Sequence, residues 1–256
     1  MKLDKGQHNI KVKNNTKKKL LVILGVGFLL VATAVARLAS YVNNYYEATD
    51  RALTYVTKPA EGVTVVREGL NISFIPEHPK AGLVFYPCAL VETEAYAPVM
   101  EQLAENGIEC VIVGMPHYIA LLNPKGAKDI VDNCPEIHDW YLSGHSLGGV
   151  MASWFAHFHS EDYEGIVMMA SYSVKDLTET DLDVLLLRGS EDKVLNVEKY
   201  NKNLSNLPSD YTEVVIDGGC HAFFGDYGSQ KGDGEPTITV EEQNDITVKE
   251  ILKLIN

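Results

Sequence analysis

Positive charge is scarce over most of this chain. Its 256 residues hold 22 lysines and arginines against 35 aspartates and glutamates, for a formal net charge of −13. Seven of the lysines (positions 2, 5, 11, 13, 17, 18 and 19) stand within the first 19 residues beside one aspartate, so that segment carries +6 and the remainder −19. A body this acidic repels phosphates, which argues against nucleic acid as a partner. The acidity itself reads as a solvated surface. Internal repeats are missing, as is any low-complexity segment beyond the lysine-rich start. Cysteine is confined to positions 88, 110, 134 and 220. None lies close behind the apolar run near the N-terminus, which argues against a lipid-modified cysteine anchor there. The ligand spacing of an EF-hand is also absent, so Gly225-Asp226-Tyr227-Gly228 and Gly232-Asp233-Gly234 read as structural loops rather than a calcium site. No motif requires a metal or a cofactor.

What is present is ordinary globular composition, 46% hydrophobic and 22% charged, on a chain long enough for a sizeable core. Residues 20–36 form an uncharged, mostly apolar run. As a helix it spans ~26 Å, just short of a ~30 Å hydrocarbon core, and continuing to Ala39 with Arg37 snorkelling outward closes the gap. Lysines before the run and few positive charges after it predict the N-terminus inside and the body outside. The same features fit a cleaved signal peptide, with Ala34-Val35-Ala36 as an A-x-A site. The run is long for a signal core, so an uncleaved membrane anchor is preferred. Either reading exports the body, held at the cell membrane or secreted after cleavage at Ala36. The expected organisation is a basic cytoplasmic tail over 1–19, a transmembrane signal-anchor over 20–39, a linker helix over 40–60 and the main domain over 61–256.

Taken in order, Arg37 to Tyr55 is expected as a polar-faced helix, ended by Lys58-Pro59. Val63–Arg67 and Leu70–Ile75 read as a hairpin turning at Glu68-Gly69. Apolar strands follow at Leu83–Tyr86, Ile108–Gly114, Ile137–Ser143, Gly165–Ala170, Asp183–Arg188 and Tyr211–Ile216. Helical patterns occupy Ala95–Asn106, Ala127–Asp132, Val150–Phe158, Val194–Leu204 and Val240–Ile255. Buried strands alternating with helices predict an α/β fold, with a mostly parallel sheet and helices on both faces.

The informative stretch is Gly144-His145-Ser146-Leu147-Gly148-Gly149. It fits G-x-S-x-G between an apolar strand and a helical pattern, the setting of a nucleophile elbow. A serine there sits in a strained backbone, and side chains at Gly144 and Gly148 would clash as strand and helix close up. The following helix aims free N–H groups at the serine, which suits a developing oxyanion.

A serine hydroxyl needs a base, and the base needs an acid to orient it. In such a sheet the order is serine, acid, histidine. Asp192, in Gly189-Ser190-Glu191-Asp192, stands where a strand gives way to a helix, with Glu191 second; the alternative for Asp192 is a helix N-cap. His221, in Gly218-Gly219-Cys220-His221, lies on a glycine-rich loop past the last strand, where the base belongs. The other seven histidines fit less well. His145 points elsewhere by alternation, and His117 is either a pocket wall or plain loop surface. Two N–H groups should hold the oxyanion: that of Leu147, and one in Pro87-Cys88-Ala89, with Ala89 first and Cys88 second.

Phe85–Pro98, Gly144–Gly149, Gly189–Asp192 and His221–Gly228 together resemble a compact, dienelactone-hydrolase-like bacterial branch of the α/β-hydrolase superfamily. The resemblance covers residues 63–256, and Gly232-Asp233-Gly234 also fits the branch's pattern. It implies Ser146 as nucleophile, Asp192 as acid and His221 as base, and it does not specify a substrate. The branch usually has Gly where Cys88 stands and Asn where Cys220 stands. Those two cysteines flank the expected site, and Cys110 and Cys134 lie toward the opposite rim. If oxidised, the pairs would be 88–220 and 110–134; free thiols are preferred.

The expectation is an exported serine hydrolase with a small-molecule ester substrate, anchored to the membrane and cleaving through an acyl-enzyme. A peptidase or amidase on the same triad and a silent binding module of this fold are the alternatives. Residues Pro116 to Asp132 are the only obvious length for a pocket flap, and no large lid precedes Asp192, which suggests a small or accessible acyl group. Oligomeric state is not legible.

Overall fold

A computed structural model describes residues 23–37, 40 and 42–256. Residues 23–37 are helical. Among the described residues no helix is long and apolar enough to cross a membrane. The expected anchor over 20–39 begins and ends outside those residues, and the basic tail 1–19 lies wholly outside them.

Tyr45–Asn256 forms one compact unit. Its elements are α1 (Asp50–Thr57), β1 (Val63–Glu68), β2 (Asn71–Pro76), β3 (Ala81–Tyr86), α2 (Ala97–Glu105), β4 (Ile108–Ile112), α3 (Ile130–Asn133), β5 (Trp140–His145), α4 (Leu147–Ala156), β6 (Gly165–Met169), β7 (Asp183–Gly189), α5 (Val197–Asn203), β8 (Thr212–Ile216) and α6 (Val240–Ile255). The eight strands make one sheet in the order β1-β2-β4-β3-β5-β6-β7-β8. β1 and β2 pair antiparallel, β2 pairs antiparallel with β4, and the rest are parallel.

The pattern has a direct cause. β3, β4, β5 and β6 are buried along their whole length, as strands covered on both faces must be. Burying their two faces takes two cores. One holds Phe74, Leu83, Phe85, Met100 and Ile251 under α2 and α6. The other holds Val84, Trp140, Leu142, Phe155 and Leu186 under α4. α6 starts in a capping box: Thr239 accepts from the Glu242 main chain and Glu242 reaches back to the Thr239 N–H, an arrangement worth about 1 kcal/mol. The consequence for function is directional. All the parallel strands end on one rim, and the loops there can meet.

The expected helix from Arg37 to Tyr55 is not continuous. Residues 43–49 are not helical. Tyr46 pairs instead with the 90–92 segment: its N–H donates to the Leu90 carbonyl at 2.7 Å and its carbonyl accepts from Glu92 N–H at 2.9 Å. The helix restarts when the Thr49 hydroxyl caps Ala52 N–H at 3.1 Å. α1 is thus part of the body rather than a free linker. Arg51 donates to the buried Asp226 at 2.8 Å, in the loop just past His221.

Candidate active site

β5 runs through the middle of the sheet and delivers Ser146 directly after its last residue. Ser146 has φ 54° and ψ −122°, on the positive-φ side of the map that non-glycine residues rarely enter. Its surroundings hold it there. Ser146 N–H donates to the Met169 carbonyl at 2.9 Å, and its own carbonyl accepts from the Ser171 hydroxyl at 2.8 Å. The two glycines meet the steric demand. A Cβ on Gly144 would stand 2.6 Å from the Gly148 carbonyl carbon, and one on Gly148 would stand 2.0 Å from the Tyr86 carbonyl oxygen.

β7 ends in the loop that carries Asp192. One carboxylate oxygen accepts from Val194 and Leu195 N–H at 2.9 and 2.8 Å, and the other faces His221 Nδ1 at 2.8 Å. The helix that follows is capped by Asn196, not by Asp192. Glu191 points to the Ser190 hydroxyl and does not meet His221. The side chains of His221 and Asp192 are 1% and 2% exposed. The His221 loop is held by two acceptors from outside it. Gln243 on α6 both accepts from Cys220 N–H and donates to the Cys220 carbonyl, each at 2.9 Å. Asp233 accepts from Ala222 N–H at 2.8 Å and from Lys193 N–H at 3.3 Å, tying the His221 loop to the Asp192 loop.

Among the described residues, the buried His221 Nε2 has no hydrogen-bond partner, so no hydrogen bond joins it to Ser146 Oγ; such contacts often tighten only when substrate binds. Both residues line one cavity of about 220 Å³. Burial pushes the His221 imidazole down. The Asp192 hydrogen bond, then the Cys88 sulfur beside it, outweigh this and raise it from 6.5 to about 9.

The cavity walls are not those the chain length suggests. Val150, Val194 and Leu195 supply apolar surface, and Ser171, Tyr172 and Asn196 supply polar groups. Neither His117 nor any residue of the 116–132 segment lines it. That segment folds as short helical turns up to the start of α3, with His117 and Tyr118 at positive φ. A larger groove of about 490 Å³ lies at the opposite rim, near Gly107, and no serine, threonine or cysteine lines it.

Leu147 N–H and Ala89 N–H have no hydrogen-bond partner among the described residues. Cys88 N–H, the second choice for the oxyanion, is engaged: it donates to Tyr96 Oη at 3.1 Å. All four cysteines are free thiols, and neither 88–220 nor 110–134 is bonded. Cys134 donates to Glu109 at 3.6 Å and Cys110 to the Ile108 carbonyl at 3.4 Å.

His145 does not point away from the site. Its ring lies 4.6 Å from that of His221, centroid to centroid, and its Nδ1 lies 2.9 Å from Tyr96 Oη. Burial drives its pKa well below the usual 6.5 and the neighbouring His221 charge adds to this, against a smaller opposing effect of the His221 main chain. The direction agrees with simple electrostatics, since two charged imidazoles at that separation would repel by roughly 4 kcal/mol at an effective dielectric near 20. Tyr96, His145, Ser171, Gln243 and the positioning role of Asp233 are the site features that motif reading does not reach.

A serine in a strained turn between a central parallel strand and a helix, with an Asp–His pair on later loops of the same rim, defines the α/β-hydrolase class of protein. The sequence pattern described as the alpha/beta hydrolase family matches residues 82–245. The chain belongs to that family. Solved structures agree on the fold. TT1662 from Thermus thermophilus is 16% identical with a TM-score of 0.55, covering 76% of this chain and 98% of that one. Est1E from Butyrivibrio proteoclasticus is 14% identical with a TM-score of 0.55, covering 76% and 99%. MGS-MChE2, an alpha/beta hydrolase enzyme from a sediment metagenome of the lagoon of Mar Chica, Morocco, is 17% identical with a TM-score of 0.55, covering 74% and 98%. Curated proteins yield no match.

Proposed function

We propose that this protein is a serine hydrolase that cleaves carboxylic esters through an acyl-enzyme. The observation that carries the reading is the buried Asp192–His221 pair, 2.8 Å apart, whose free Nε2 shares a cavity with Ser146. Ser146 Oγ attacks the ester carbonyl carbon while His221 Nε2 takes its proton. The Leu147 and Ala89 N–H groups hold the oxyanion, and Asp192 stabilises the imidazolium. Collapse breaks the bond to the alkoxide, which leaves with the proton from His221. Water then adds to the acyl-serine with His221 again as base, releasing the acid and restoring Ser146. An alkoxide departs more readily than an amine, which favours esters over amides. A cavity of about 220 Å³ suits a short acyl group.

The test is covalent labelling with a fluorophosphonate probe, which requires an activated serine. The wild type should label and Ser146→Ala should not. No labelling of correctly folded wild type would favour a silent binding module of this fold. Matched ester and amide substrates then separate an esterase from an amidase or peptidase, with the ester expected to turn over faster.

The acidic body is proposed to work outside the cell membrane, held by residues 20–39. The support is sequence alone: an uncharged run behind a block of lysines. Cleavage after Ala36 would instead give a secreted enzyme.

A further inference from the structure

We propose that Tyr96 and His145 form a neutral brace that positions both the His221 imidazole and the oxyanion loop at Cys88, and this rests on the serine-hydrolase reading above. Neither residue meets substrate. Both are positioning residues, and both are 0% exposed.

The direction of each hydrogen bond follows from what the atoms can do. Cys88 N–H can only donate, so Tyr96 Oη accepts it, at 3.1 Å. The one hydroxyl hydrogen of Tyr96 then has His145 Nδ1 as its acceptor, at 2.9 Å. His145 therefore carries its own proton on Nε2 and is neutral. The other tautomer would orphan two buried groups, the tyrosine hydroxyl hydrogen and the Nε2 lone pair, whereas this one leaves only Nε2–H without a partner among the described residues. Phe85 packs 4.6 Å from the Tyr96 ring and holds it in place.

One hydroxyl thus ties three separate parts of the site. It fixes the main chain at Cys88, next to the free Ala89 N–H. It orients His145, the residue before the nucleophile on the rigid end of β5. Through that ring, with Phe224 5.5 Å from it, it backs the imidazole of His221. A neutral partner supports the base without opposing the positive charge it must accept in each proton transfer.

The test is a double-mutant cycle read in kcat, KM and thermal midpoint. Tyr96→Phe and His145→Leu should each lower kcat about 10- to 100-fold, the scale of a small misplacement at a site, with KM within about twofold. Because both break one unit, the double variant should be little worse than the poorer single one. His145→Asn is the conservative control. Its side-chain oxygen can occupy the place of Nδ1 and accept from Tyr96, so it should keep several-fold more kcat than His145→Leu. Losses that simply multiply, or His145→Leu as active as His145→Asn, would overturn the brace. If Tyr96→Phe does not fold, the comparison of His145→Asn with His145→Leu decides alone. Fluorophosphonate labelling of the wild type separates the two proposals. A wild type that labels, combined with multiplying losses, removes only the brace. A wild type that does not label removes the reading beneath it as well.

Discussion

At the scale of single residues, the site turns on where protons sit. His221 is raised to about 9 by Asp192 and the Cys88 sulfur against the downward pull of burial. A general base works only when neutral, so kcat/KM should rise with pH to a limb near 9 rather than near the ordinary 6.5. Asp192→Asn should lower that limb and cost about 10³- to 10⁴-fold in kcat, since the imidazole loses both its orientation and its counter-charge. Cys88→Ala should also move the limb to lower pH, while fluorophosphonate labelling persists. A pH–rate profile for each variant checks all three. A limb that stays put in Cys88→Ala would show that the sulfur does not act on the base. The placement of Ser146, Asp192 and His221 on one rim is legible because the proposed chemistry calls for those residue types in that order at strand ends. That of Tyr96 and His145 is not, because nothing in a sequence marks a tyrosine 49 positions away as the partner of a histidine.

At the scale of elements, the elbow is where sequence and structure agree most closely, and sterics explain why. Only glycine fits where a Cβ would stand 2.0 Å from the Tyr86 carbonyl oxygen. Gly148→Ala should therefore destabilise the fold by about 2–4 kcal/mol, measured by denaturant unfolding, since main chain must move to admit the methyl group. A loss below about 0.5 kcal/mol would mean that strand β3 and helix α4 are less tightly opposed than described. Strand reading fared well because the central strands are buried on both faces and read as continuous apolar runs. The helix expected over 37–55 fared worse. Its break at 43–49 is dictated by main-chain bonds to residues 90–92, a partner that local propensity does not see. The 116–132 segment was the obvious flap by length alone. The cavity wall instead comes from residues 170–172 and 194–196, where Ala170 turns at positive φ without a glycine to announce it.

At the scale of the whole molecule, the compact unit begins at Tyr45, and α1 is bound to the loop behind His221 through Arg51 and Asp226. A chain starting at Tyr45 should unfold at higher denaturant than one starting at Glu61, and should show the higher activity. Equal midpoints would make α1 a dispensable linker. The proposed anchor has its own test. The full chain should stay with membranes through carbonate extraction, and removal of residues 1–39 should release it. The claim beneath all of this is that Ser146 becomes a nucleophile, and trapping its covalent intermediate tests that most directly. Acid-quenched reaction with a p-nitrophenyl ester, followed by peptide mass analysis, should find one acyl group on the peptide containing Ser146 and none in Ser146→Ala. An acyl group on another residue, such as Cys88, or turnover with no acyl-protein at all, would contradict the account.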